Sequence, residues 1–116
     1  TLDAKKGIEM FRKVNIRVLG VVENMSLHVC SNCGHAEPVF GAGGGERIAR
    51  DYQTVLLGQL PLDAHIREQA DSGQPTVVAM PESDLAARYK AIARKVGAAV
   101  AQAARRDPKR IDIVFE

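Results

Sequence analysis

The sequence predicts an α/β fold built on a parallel sheet, and three observations carry that expectation. Val18-Leu19-Gly20-Val21-Val22 and Val55-Leu56-Leu57-Gly58-Gln59-Leu60 are short, almost wholly apolar runs, the pattern of strands covered on both faces. Around them the hydrophobic period changes to that of helices. The resulting order of helix, strand, crossover, strand and helix is the grammar of parallel α/β sheets. Two such strands make a narrow sheet, since sheets usually hold about four to six, and edges this apolar require neighbours. Because the chain opens directly on a helix, it reads as the C-terminal part of a larger α/β domain.

Each element has a local cause. Residues 2–14 place Ile8, Met10, Phe11 and Val14 on one stripe, with Lys5, Lys6, Arg12 and Lys13 between them, as an amphipathic helix requires. The first apolar run follows as a strand. Residues 24–35 are polar, carry both cysteines and read as a loop; Pro38-Val39-Phe40 reads as a short strand. Gly41, Gly43, Gly44 and Gly45 break the chain, and residues 46–52 resume as a helix with Ile48 and Ala49 inward. The second apolar run stops at Pro61. Asp63 is placed to cap the next helix, its carboxylate accepting from free backbone N–H groups; that helix runs through Ile66 and Ala70, and Ser72-Gly73-Gln74-Pro75 ends it. Ser83 caps the last and longest helix, residues 84–106, with Leu85, Ala86, Tyr89, Ile92, Ala93, Val96 and Val100 as the buried stripe. Asp107-Pro108 terminates it. In the tail, residues 107–116, Ile111, Ile113 and Phe115 alternate with Asp112, Val114 and Glu116, an edge-strand pattern. Residues 1–106 are thus assigned to the α/β unit and 107–116 to a tail.

Composition excludes several function classes. The 116 residues are 46% apolar and 26% charged, the balance of one ordinary globular domain. Sixteen Lys and Arg against fourteen Asp and Glu leave a net charge of +2, too weak a field to argue for nucleic acid or a membrane surface. No apolar run approaches the roughly 20 residues of a membrane span, and the start lacks the apolar core of a secretion signal. Aromatic residues are 4% with no Trp, so stacking platforms for single-stranded nucleic acid are scarce. Two cysteines three positions apart cannot staple a small fold; they read as a site in a reducing compartment.

The sharpest chemical signal is Cys30-Ser31-Asn32-Cys33-Gly34. Two thiolates at this spacing can converge on one metal centre, and the glycine relieves the backbone where it wraps. A thiol–disulfide pair would instead follow a strand and open a helix, and Ser31-Asn32 and Gly34-His35 do not look helical. Two incidental loop thiols are the bland alternative. Structural zinc and iron–sulfur clusters each take about four protein ligands, whereas this chain has two cysteines. His28 and His35 could complete the set, but His35 follows Cys33 too closely for the usual spacing, and both read as solvated. A homodimer in which each subunit gives Cys30 and Cys33 is simpler, because a two-fold axis brings identical loops together. A zinc-stabilised dimerisation module without enzymatic activity stays open beside a cluster carrier.

Two further segments draw notice. Val21-Val22-Glu23-Asn24-Met25 ends a buried strand on a polar step, where open α/β sheets bind ligands, and an Asn amide offers the donor and acceptor of an adenine edge. Leu60-Pro61-Leu62-Asp63 holds the same position at the next strand, so the two loops could face one pocket; Asn24 as a turn former and Asp63 as a plain cap are the simpler readings. Phe40-Gly41-Ala42-Gly43-Gly44-Gly45-Glu46 lacks the Gly-Lys-Ser/Thr of a Walker A loop. Its glycines read as positions of positive φ or close backbone approach.

Taken in order, Gly20-Val21-Val22-Glu23-Asn24-Met25-Ser26, Cys30-x-x-Cys33, Phe40-Gly41-x-Gly43-Gly44-Gly45 and Gly58-Gln59-Leu60-Pro61-Leu62-Asp63 resemble the C-terminal part of the Mrp/ApbC family. Those are iron–sulfur P-loop ATPases related to MinD and ParA. The likeness runs from about Lys6 to Ala101. It implies the C-terminal portion of a Rossmann-like P-loop NTPase domain, without the Walker A half. It further implies a cytoplasmic homodimer with a 4Fe–4S cluster bridged by Cys30 and Cys33 of both subunits. In the full-length protein, ATP with Mg would support cluster loading or transfer to apo iron–sulfur client proteins. Asn24 matches the position whose side chain reads adenine, and Pro61, Leu62 and Asp63 match the loop flanking the base. The family's phosphate loop belongs before Thr1, so this chain alone is not expected to hydrolyse ATP.

Overall fold

The computed structural model describes residues 2–29, 32–38 and 43–106. Its elements are α1 (Leu2–Lys13), β1 (Val21–Glu23), β2 (Leu27–Val29), β3 (Ala36–Pro38), α2 (Gly44–Asp51), β4 (Leu56–Gln59), α3 (Ala64–Asp71), α4 (Thr76–Ala79) and α5 (Asp84–Arg106). The parallel α/β arrangement is as expected: β1 and β4 pair in parallel, with Val21 opposite Leu56, Val22 opposite Gly58 and Glu23 opposite Gln59. The crossover between them carries the β2–β3 hairpin and α2. α2 packs on β1 and β4, and α5 lies on β4 and α4, with Ile92 over Gly58. Ile8, Ile48, Ala49, Leu57, Leu60 and Ala86 form the buried apolar set.

Three helices end alike. Asn15, Gln53 and Gly73 take positive φ after α1, α2 and α3, so that Ile16, Thr54 and Gln74 donate back to the carbonyls of Phe11, Ala49 and Gln69. This left-handed closure satisfies carbonyls that a helix end leaves without partners. Asp63 caps α3 as expected, its Oδ1 accepting from the His65 amide at 2.8 Å. Ser83 caps α5, its Oγ accepting from the Ala86 amide at 3.1 Å.

The structure departs from expectation at five places, the first on the opening helix, where of the expected stripe only Ile8 is buried and Met10, Phe11 and Val14 are exposed. The first strand is short, confined to Val21–Glu23 rather than starting at Val18. Residues 24–35 are not all loop: Leu27–Val29 pairs antiparallel with Ala36–Pro38, a pairing between segments too short to show a period. α4 is an unforeseen single turn. On α5, Ala93 and Val100 face solvent: a 23-residue helix is about 35 Å long, while the four-residue β4 beneath it covers about 13 Å. The expectations for Val39-Phe40 and for the tail 107–116 fall outside the described residues.

Candidate functional site

The site begins with an irregularity in the parallel ladder. Leu60 donates its amide to the Glu23 carbonyl at 2.8 Å, and its own carbonyl accepts from the Ser26 amide at 2.9 Å. A regular parallel partner would bond to residues two apart; here they are three apart, so one extra residue bulges out at Asn24-Met25. Met25 takes φ 54°, and its amide donates to Asn24 Oδ1 at 2.9 Å. Beyond the bulge the register slips by one more residue before the ladder resumes, so that from the Glu23–Gln59 pair to the His28–Leu62 bridge five steps oppose three. The Leu62 amide donates to the Leu27 carbonyl at 2.7 Å, and His28 and Leu62 form a parallel bridge. β2 is therefore β1 continued, with a bulge that pushes Asn24 and Met25 into solvent, as bulges beside binding sites do.

Sequence had placed Asn24 and Pro61–Asp63 at neighbouring strand ends, and the structure brings them together there, after the paired Glu23 and Gln59. Asn24 is exposed, Pro61 is buried and Asp63 is half-buried. Asp63 Oδ1 serves both the α3 cap and His65 Nδ1, the latter at 2.9 Å. Three residues that sequence reasoning left without a role, Glu23, Gln59 and Ser26, complete the platform. Gln59 Nε2 donates to Glu23 Oε2 at 3.0 Å, and this carboxylate abuts the first turn of α2, where a negative charge is favoured. A Cβ at Gly45 would stand 2.9 Å from Glu23 Oε2 and 3.0 Å from Leu56 Cδ1, so close approach explains this glycine. Ser26 is buried and adds its hydroxyl to Leu60, Oγ donating to the same carbonyl at 3.3 Å.

Cys33 is exposed in the turn between β2 and β3; Cys30 lies outside the described residues. No helix opens after Cys33, because β3 follows at Ala36. His28 and His35 are exposed, and His35 Nε2 stands 4.0 Å from Glu37 Oε2. Among the described residues there is no group of three or more His, Cys, Asp or Glu positioned to hold a metal ion. Nor is any described helix long and apolar enough to cross a membrane.

A parallel sheet whose strand ends present two adjacent loops has the ground plan of an open α/β nucleotide-binding protein. A nucleotide-binding protein from Archaeoglobus fulgidus, solved in complex with ADP and with Co, superposes with a TM-score of 0.56 at 32% identity, over 71% of this chain and 32% of that one. The iron-sulfur cluster carrier protein of Escherichia coli is 58% identical over 97 residues, 84% of this chain and 26% of that protein. The iron-sulfur cluster transfer protein NUBPL of Mus musculus is 48% identical over 95 residues, 82% of this chain and 30% of that protein. The ParA-type family model described as NUBPL iron-transfer P-loop NTPase matches residues 1–97. The chain belongs to this family of iron-transfer P-loop NTPases. It spans about a quarter to a third of the length of these relatives.

Proposed function

We propose that the chain serves an iron–sulfur cluster carrier, with Cys30 and Cys33 as the thiolates that hold the cargo. The observation that carries this reading is the exposure of Cys33 at the end of a hairpin, where a second subunit or a client protein can reach it. A 4Fe–4S cluster bridged between two copies, two thiolates from each, completes the four-ligand set. Asn24 and Pro61–Asp63 form the adenine-facing loops, and ATP with Mg drives loading or release toward apo iron–sulfur clients in the cytoplasm. The relatives named as carrier and transfer proteins support the cargo, and the ADP complex of the structural relative supports the nucleotide. A thiol–disulfide role is disfavoured by the strand that follows Cys33.

Anaerobic reconstitution with ferrous iron and sulfide is expected to load about two irons per chain, four shared by two subunits. Cys30→Ala or Cys33→Ala is expected to abolish that iron. A full complement retained by either variant refutes the assignment. About half an atom of zinc per chain in protein purified without reconstitution, with monomers after chelation, identifies the zinc-stabilised dimer instead.

A further inference from the structure

We infer that the cleft between Arg17 and Arg106, at the opposite end of the strands from Asn24 and Pro61–Asp63, is a second binding site that takes a small organic dianion bearing carboxylate or phosphate groups. The cleft has a cause in the sequence. Along α5 the half-buried residues Leu85, Tyr89, Ile92, Val96, Ala99 and Ala103 recur at alternating spacings of four and three, the stripe that a helix lays against a sheet. Its large side chains stop at Val96. Ala99 and Ala103 follow where α5 passes the residues that lead into the strands, and the next position of the stripe is Arg106. Small side chains leave space there. A cavity of about 320 Å³ opens between this end of α5, residues 17–19 ahead of β1 and residues 53–55 ahead of β4, a size that suits a small ligand.

The lining selects the charge of that ligand. Arg17 and Arg106 reach the cavity from different walls, and Gln53, Thr54 and Gln102 place neutral hydrogen-bonding groups beside them. An adjoining recess shares Arg17 and adds Arg12. Among the described residues, no Asp or Glu lines either space. The whole chain is nearly balanced, sixteen basic residues against fourteen acidic, so this one-sided lining is local. A cleft lined by one sign of charge concentrates the field that draws the opposite ion. Each guanidinium also presents a fork of N–H donors that matches the paired oxygens of a carboxylate or phosphate. Two such forks suit a phosphate held between them or the two ends of a short dicarboxylate, and Val18, Leu19 and Val55 give its carbon frame an apolar floor. Arg12 is already engaged, donating to the Tyr52 carbonyl, and serves as a flanking charge. The site shares no residue with the strand-end loops or the cysteines, so it stands independently of the carrier reading.

The test is calorimetric titration of the full-length polypeptide with succinate and with glycerol 3-phosphate, Mg–ADP being present to fill the nucleotide site. Wild type is expected to bind about one equivalent of the preferred probe per chain; preference for succinate names a dicarboxylate, and preference for glycerol 3-phosphate names a phosphate ester. Arg17→Gln and Arg106→Gln are each expected to weaken that probe about ten-fold or more, because each removes a charge-assisted hydrogen bond. Both side chains are exposed and lie on different elements, so an unchanged thermal midpoint is the folding control and either variant decides alone. Arg94→Gln removes the same charge twelve residues earlier on α5, about 18 Å away along the helix. At about 0.1 M salt that exceeds the screening length, so its affinity is expected to stay within about two-fold of wild type. Failure of wild type to bind either probe at millimolar concentration overturns the site. Binding unmoved by both Arg17→Gln and Arg106→Gln overturns it too, since the probe then sits elsewhere. A loss in Arg94→Gln equal to theirs does the same, because the attraction is then diffuse rather than local.

Discussion

Glycine at position 45 separates two explanations of a glycine-rich segment. A phosphate loop needs free backbone amides, whereas close packing needs an absent Cβ, and at Gly45 the second cause is explicit: the missing carbon would press on Glu23 Oε2 and Leu56 Cδ1. Position 43, by contrast, precedes α2 in the left-handed region at φ 76°, so two residues of one run are glycine for different reasons. Gly45→Ala must push Glu23 off Gln59 or lift α2 from the sheet. Overpacking of a close contact costs about 1–3 kcal/mol, so the urea midpoint is expected to fall with an unchanged denaturant slope. The Glu23–Gln59 bond offers a control. Gln59→Leu removes the donor but not the crowding, so Gly45→Ala is expected to remain destabilising in that background. If Gly45→Ala leaves the stability of the Gln59→Leu protein unchanged, the whole cost traces to the hydrogen bond.

Among the elements, α1 is held in an unusual way. Ile8 is its buried residue, and the remaining ties run to the end of α2 through polar groups. Lys5 Nζ is 3.7 Å from Asp51 Oδ2, the Tyr52 hydroxyl donates to Glu9 Oε1 at 2.9 Å, and the Arg12 guanidinium donates to the Tyr52 carbonyl while lying 5.2 Å from its ring centre. Desolvation raises the Tyr52 phenol above its ordinary value, the hydrogen bond and charge of Glu9 add to that rise, and Arg12 opposes it. A folded-state value raised above the unfolded one favours the neutral phenol in the native protein. The clamp is therefore fully present below about pH 10 and lost as pH climbs through the raised value. Glu9→Gln is expected to shift the phenolate absorbance titration downward, and a titration unmoved by it would remove Glu9 as a cause. Such polar clamps were not legible in the sequence, and the reason is sequence distance. The α3 and α5 caps could be read because Asp63 and Ser83 act on residues two and three positions on. Periodicity likewise marked the helices, and spacing marked the cysteines and the two strand-end loops. The bulge, Ser26 and Glu23 could not be read, because their partners lie 34 and 36 residues away. The hairpin hid for a related reason: His28 and Glu37 give it a polar composition, and its strands identify themselves only by pairing with each other.

For the molecule as a whole, the exposed apolar side chains are informative. Leu2, Met10, Val14, Ile16 and Val55 are each more than half exposed, and an open groove of about 400 Å³ lined by Ile8, Phe11, Ile16, Val21 and Ile48 runs between α1 and β1. The radius of gyration is 16.5 Å, against about 13 Å for a compact chain of this length. A two-stranded parallel sheet is also below the size at which sheets are stable alone. These features describe a surface that water does not favour, since exposed apolar patches of this kind mark interaction sites or aggregation liabilities. The isolated chain, kept iron-free with chelator and reductant so that thiolates cannot bridge copies, is expected to enhance ANS fluorescence and to sediment above the monomer at micromolar concentration. Replacing Val14 and Ile16 with Lys should lower both signals, because each side chain is already outside the buried set and its loss removes only the driving force for association. If the iron-free chain sediments as a monomer without ANS enhancement, the groove is not a surface in need of cover. If the double variant loses its cooperative unfolding, those two residues belong to the folded core instead. Association that persists at full strength in the double variant locates it elsewhere, along the sheet edges of β1 and β4 that have no strand partner among the described residues, where backbone groups rather than side chains recruit the partner.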